Sequence, residues 1–210
     1  MIFYADISSP PESPEIELVN TVPPEIDNPE IILPIIRCVN GWLCNQSSKG
    51  EIWDVYDKNR RLTGRRHRRG DTLAEGDYHL VVHVWMRNSK GEFLITKRTA
   101  NKGFPNMWES TGGSALTGDD SLAAALREVK EETGLALDPA RGRVIHSYMR
   151  NDYIVDAWLF EQDFDLEDVV LQENETCDRM YASEKTIRRL ADEGKFVPYS
   201  YLDILFGISR

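Results

Sequence analysis

The sequence is short of cysteine, of unbroken apolar runs and of positive charge. Its 3 cysteines, Cys38, Cys44 and Cys177, are an odd number. Their spacings match neither a disulfide framework nor a zinc site, so burial as small hydrophobes is their expected role. The longest apolar stretch, Leu80 to Met86, is interrupted by His83 and is too short to span a bilayer. The opening MIFYADISSP has no basic segment leading into a long apolar run, so no signal peptide is expected. These absences set the expectation of a soluble cytoplasmic protein without a membrane partner. With 25 Lys and Arg against 35 Asp and Glu, the net charge is −10, which argues against nonspecific binding to a nucleic-acid polymer.

At 210 residues the chain is most economically one domain with an appendage. Residues 1 to about 34 hold 7 of the 10 prolines, 7 acids and no Lys or Arg. Proline removes donors and fixes φ, so this segment should be extended or irregular, without a core of its own. An apolar cluster from Ile31 to Leu43 follows it and calls for burial. Two readings stand: an arm packing on the main domain or a second subunit, as in a homodimer, or a mere extension. The expected division is an arm over 1–48 and a domain over 49–210.

Within the domain, LAAALREVKEET reads as one amphipathic helix. Leu122, Leu126 and Val129 recur at helical spacing, Asp120 or Ser121 can cap the start, and Gly134 stops the last turn. At about 100° per residue, Glu128, Glu131 and Glu132 share one arc away from that stripe. Three carboxylates so placed repel one another, and a divalent cation among them removes the repulsion. Hard oxygen ligands suit Mg²⁺, with Mn²⁺ as a substitute. Arg127, four residues before Glu131, can orient that carboxylate.

Before this helix, YHLVVHVWMR and FLITK read as strands around an Asn88–Gly91 turn, with His79 and His83 on one side as packing residues without a role. Lys97 and Arg98 end the second strand and begin a basic loop that leads through Trp108 to Gly112 and Gly113. Adjacent glycines let backbone groups approach a metal or phosphate closely. Upstream, Arg60, Arg61, Arg65, Arg66, Arg68 and Arg69 crowd a hairpin; one or two facing the site could receive an anionic substrate. The run has no interleaved aromatics, as single-stranded nucleic acid would want. After the helix, two strands meet at an Asn151–Asp152 turn, a short strand holds Met180–Tyr181, and Ser183 caps a further helix. This alternation implies a mixed sheet covered by helices on both faces.

Counted from Gly113, the chain has five residues and Asp119, seven residues and Arg127-Glu128, then Val129, Lys130, Glu131-Glu132, Thr133, Gly134 and Leu135. This resembles the Nudix box at every defined position but one, where Asp119 replaces a glutamate. The stretches WDVYDKNRRLTGRRHRRG, FPNMWESTGG and GKFVPYSYLDILF look like the branch related to isopentenyl diphosphate isomerase. The resemblance covers roughly residues 50 to 206 and implies an α/β fold, a Nudix α/β/α sandwich with a mixed central sheet, here carrying an N-terminal extension.

Two reactions compete for that branch. The isomerase uses a cysteine shortly after the FPxxW segment, and here Glu109, Ser110 and Thr111 follow Trp108 instead. The nearly complete box therefore favours Mg²⁺-dependent hydrolysis of a small-molecule diphosphate, a nucleoside diphosphate or one linked to another group, over the isomerase and over a nucleotide-binding regulator without turnover. The resemblance makes Glu128, Glu131 and Glu132 the expected catalytic metal ligands, helped by the backbone of Gly112, with Arg127 as support. Lys97, Arg98 and Trp108 are the expected substrate contacts. Asp119 is one methylene short and would reach a metal through water. Glu175 is either an acid from outside the box that serves as base or a solvated loop residue. Trp53, Tyr78, Trp108, Tyr148 and Tyr153 are open to stacking on a base or to packing in the core.

Overall fold

The computed structural model describes residues 50–208. The arm, its boundary at 48/49, the Ile31–Leu43 cluster and the dimer reading tied to it lie outside the described residues, as do Cys38 and Cys44.

Strands β1 (Ile52–Tyr56) and β2 (Leu62–Arg68) form an antiparallel hairpin. Asp57 closes its turn by accepting from the Asn59 and Arg61 amides at 2.8 and 2.9 Å. Reciprocal backbone bonds between Tyr56 and Tyr78 tie the hairpin to the start of the central strand.

The main sheet has seven strands. They are β3 (His79–Arg87), β4 (Phe93–Arg98), β5 (Trp108–Glu109), β6 (Thr111–Ser114), β7 (Gly142–Arg150), β8 (Tyr153–Glu161) and β9 (Thr176–Ala182). The order is β5-β4-β3-β8-β7, with β6 also on β3 and β9 also on β4. Only the β3–β8 pair is parallel, so the sheet is mixed as expected. Asn151 takes φ 53° in the tight turn joining β7 to β8, a conformation asparagine tolerates well.

Period-2 alternation along β3 builds two cores. Leu80, Val82, Val84 and Met86 face helix α1 (Ser121–Thr133) and meet Ala124, Ala125 and Val129. Trp85 faces the other way, toward α2 (Glu184–Asp192) and α3 (Leu202–Ile208), where Ile187, Leu190, Leu205 and Phe206 close over it. Helices on both faces make the α/β/α sandwich. Among the described residues no helix is long and apolar enough to cross a membrane.

Three segments differ from expectation. The stretch from Trp108 to Ser114 is paired as β5 and β6, although it lacks alternation. Its register with β3, His83 opposite Gly112 and Val82 opposite Gly113, supplies what side chains do not. The strand around Met180 runs the full seven residues Thr176–Ala182 because β4 pairs along it. The stretch Asp163 to Asp168 after β8, whose acids read as a loop, contains a 3-10 turn over Leu166–Asp168.

Candidate active site

Helix α1 is held at both ends. Asp120 accepts from the Ala123 amide at 2.8 Å, and Gly134 takes the left-handed φ of 72° while its amide reaches the Lys130 carbonyl. The buried stripe fixes the helix against β3, which aims the opposite arc at the Gly112–Ser114 strand. Glycine is needed there. A Cβ on Gly112 would lie 2.4 Å from the Val82 carbonyl oxygen, and one on Gly113 would lie 2.4 Å from the Glu128 carboxyl carbon.

Arg127 is the hub of this arc. It donates to Asp119 Oδ2 (3.0 Å), Glu128 Oε1 (2.9 Å), Glu131 Oε2 (3.0 Å) and the Ser114 carbonyl (2.9 Å). The support expected for Glu131 therefore extends to Glu128 and to the loop. Asp119 also accepts from the Leu116 amide at 3.1 Å and does not line the cavity. These two bonds brace the loop that leads into α1.

In front of the helix lies a cavity of about 390 Å³. Its acids are Glu51, Glu128, Glu131, Glu132 and Glu175; its bases are Arg69, Arg98, Lys102 and Arg127. Glu128 and Glu132 are nearly buried, with side chains 13 % and 5 % exposed, while Glu131 opens to solvent. Burial, against the pull of Arg127, raises the Glu128 carboxyl to about 7. Burial, opposed by Lys102 and reinforced by Glu109 and Glu128, raises Glu132 to about 8. Glu132 Oε2 has no hydrogen-bond partner. Desolvated carboxyls short of positive charge are what a divalent cation would stabilise. Among the described residues, no three carboxylates converge on one point as they stand. Arg127 holds Glu128 and Glu131, and Lys102 sits by Glu132.

The expected substrate contacts divide. Arg98 lines the cavity, held by Glu109 and the Gly103 carbonyl. Lys97 and Trp108 line neither this cavity nor the one beside it. Successive residues on β4 point to opposite faces, so Lys97 turns away and its ammonium lies 5.8 Å from the Trp108 ring, which packs on the second core. Glu175 is in place, beside Lys102. Of the hairpin arginines, Arg69 reaches the site, paired with Glu51 at 2.7 Å. Arg60 and Arg65 are bound elsewhere, to Asp156 and Asp77.

Sequence reasoning missed Lys102 and Glu109. Lys102 stood in a loop recognised only as basic. Glu109 is buried beside Arg98, and burial raises its carboxyl.

Gly112, Gly113, Ser114, Arg69 and Arg98 also border a second cavity of about 550 Å³. Trp53, Tyr148 and Tyr153 line it as the aromatic reading allowed; Tyr78 and Trp108 do not. Phe104 and Tyr199 add two rings, and His79 stacks on Trp53 at 4.1 Å. His79 and His83 both line this cavity, and burial lowers each to about 4, so both imidazoles are neutral at pH 7. A polar, charge-rich chamber thus opens onto an aromatic one.

A family model for the NUDIX domain matches residues 77–199. The chain is 42 % identical over 162 residues to an uncharacterised Nudix hydrolase of Listeria monocytogenes, covering 76 % of this chain and 96 % of that protein. It is 32 % identical over 71 residues to an Escherichia coli isopentenyl-diphosphate Delta-isomerase, covering 33 % of this chain and 37 % of that one. A crystal structure from Deinococcus radiodurans aligns over 76 % of this chain and 100 % of its own, with a TM-score of 0.62 at 19 % identity, a likeness of fold. Among the described residues the cysteine is Cys177, which is exposed on β9 and lines neither cavity.

Proposed function

The chain belongs to the Nudix hydrolase family, enzymes of pyrophosphate bonds in nucleoside diphosphate derivatives, and on that premise we propose a specific reading. With Mg²⁺, or Mn²⁺ as a substitute, it hydrolyses the phosphoanhydride bond of a free nucleoside diphosphate or of one linked to another group. The observation that carries this reading is the junction of the two chambers at Gly112–Ser114: carboxylates and cations on one side, aromatic rings on the other.

Glu128, Glu131 and Glu132 would hold the cation. Their fit rests on the unpartnered Glu132 Oε2 and on two buried carboxyls that lack enough positive charge. When bound there, a divalent ion lowers the pKa of its water and neutralises charge on the phosphates. Arg69 and Arg98, at the border of both chambers, would receive the phosphate oxygens in their planar forks. Arg127 keeps Glu128 and Glu131 in register. Glu175, an acid outside the box that lines the cavity, would take a proton from the attacking water. Trp53, Tyr148, Tyr153 and Phe104 would enclose the organic group, and neutral His79 and His83 add no charge there. An uncharged planar moiety suits such walls.

Phosphate release from nucleoside and isoprenoid diphosphates with Mg²⁺ tests the reading. Release from the nucleotides, lost with a chelator, supports it; chelator-resistant release, or isomerisation of an isoprenoid diphosphate, contradicts it.

A further inference from the structure

Of the cavity's four basic side chains, three are committed to partners that hold them in place. Arg127 braces Asp119, Glu128 and Glu131; Arg98 holds Glu109 and Gly103; Arg69 pairs with Glu51. Lys102 is different. Its ammonium contacts Glu175 and lies 3.8 Å from Glu132 Oε1, bridging a box glutamate to the acid outside the box. Among the described residues it is the ion-pair partner of each, and its side chain is only 18 % exposed.

An ammonium beside Glu132 stands where a divalent cation bound to Glu132 would bring its own charge, and the two cannot share that space without strong repulsion. The surrounding backbone is anchored. The Thr99 amide donates to the Glu175 carbonyl at 3.1 Å and Thr99 Oγ1 to the Asn174 carbonyl at 2.8 Å, while the Gly103 carbonyl accepts from Arg98. The Lys102 loop and the Glu175 loop are thus fastened together, and the flexible four-carbon stem is the part that can swing. The cavity into which it would swing is the one assigned above to the phosphates.

We propose that Lys102 is an exchangeable counter-ion. Without metal it pairs with Glu175 and stands beside Glu132; when the divalent cation enters, the ammonium yields its place and turns to the substrate's diphosphate. Metal binding thereby readies the phosphate site, and a single residue couples the two ligands. The inference rests on the metal-dependent reading above, and its failure is separable from the failure of that reading.

The test is Mn²⁺ uptake by the full chain, followed by electron paramagnetic resonance without substrate, in the wild type, Lys102→Met and Glu132→Gln. Methionine keeps an apolar stem and removes the charge. Lys102→Met should bind Mn²⁺ roughly tenfold more tightly, within the usual range for coupled sites, because nothing has to be displaced. With saturating Mg²⁺ it should bind inorganic pyrophosphate more weakly by a similar factor. Lys102→Gln repeats the measurement with a polar neutral head, should the thioether fold poorly. A purely structural ion pair would lower Tm on substitution and leave Mn²⁺ affinity alone. Unchanged or weakened Mn²⁺ binding in both Lys102 variants, with uptake still lost in Glu132→Gln, overturns the inference and keeps the metal site. No uptake by any of the proteins overturns both.

Discussion

Replacing Glu132 by glutamine should move activity and metal-free stability in opposite directions. The carboxyl ionises at about 8 in the folded protein against 4.5 ordinarily. Between those values the folded state keeps a proton that the unfolded chain releases, so stability falls as pH rises through the window and is lowest above it. At about 1.4 kcal/mol per pH unit, the penalty at pH 7 is roughly 3 kcal/mol before any allowance for relaxation. Glutamine removes the ionisation but still buries an amide without a full set of partners, and it surrenders the attraction of Lys102, which keeps Glu175. A net gain of up to about 2 kcal/mol remains, which raises Tm by a few degrees in a chain of this size. The gain should shrink toward pH 5, where both states hold the proton. Turnover should fall by at least ~10²-fold, since a lost ligand forfeits several kcal/mol of charge stabilisation. Differential scanning calorimetry in chelator, then in excess Mg²⁺, supplies the assay. The wild type should gain about 2–3 kcal/mol from Mg²⁺ at a hundredfold excess over Kd, and the variant should gain much less. A variant that melts lower in chelator, or turns over within a few-fold of wild type, refutes the reasoning.

Three further outcomes follow from particular contacts. Gly113→Ala should cut kcat tenfold or more with little change in Tm, because its Cβ meets only the movable end of Glu128; Gly112→Ala meets the Val82 backbone oxygen and should instead lower Tm, by roughly 1–3 kcal/mol of stability. Thermal melts beside kinetics separate the two. Arg127→Met should lower kcat by ~10-fold or more while KM for the diphosphate stays near wild type, as steady-state kinetics will read, because Arg127 positions Glu128 and Glu131 without holding substrate. His79→Phe should flatten acid lability: the imidazole is held down to about 4 by burial, so the unfolded chain takes a proton first as pH falls below about 6.5, and stability drops by up to ~3 kcal/mol near pH 4. The variant keeps the stack on Trp53, and urea melts at pH 7 and pH 4.5 should show the smaller difference in the phenylalanine protein.

Helix α1 was legible because everything that specifies it is local: a capping aspartate, a stop glycine and an apolar stripe at helical spacing. The same holds for β3, whose alternation shows in its own residues. Strands β5 and β6 were not legible, since Trp108 to Ser114 carries no period and becomes strand only through the register of β5 with β4 and of β6 with β3. Lys97 and Arg98 are neighbours of like charge, and only the pleat of β4 decides which faces the cavity. Asp119 kept its place in the box pattern, but its partners, Arg127 and the Leu116 amide, are set by loop geometry. Lys102 was the hardest to foresee: its role depends on Glu175, which the sheet brings beside it through the β4–β9 pairing. The aromatic chamber was half readable, because a ring in a strand looks alike whether it faces core or cavity.

The central claim is that this cavity adds water to a phosphoanhydride with the help of a metal held by Glu128, Glu131 and Glu132. Its most direct test is ³¹P NMR of a nucleoside diphosphate incubated with the protein and Mg²⁺ in ¹⁸O-labelled water. The account predicts a phosphate product shifted by one ¹⁸O, formed with Mg²⁺ or Mn²⁺, absent with chelator and formed at least ~10²-fold more slowly by Glu132→Gln. Product at an undiminished rate under chelation, or no product from any nucleoside diphosphate or linked derivative with either metal, contradicts it.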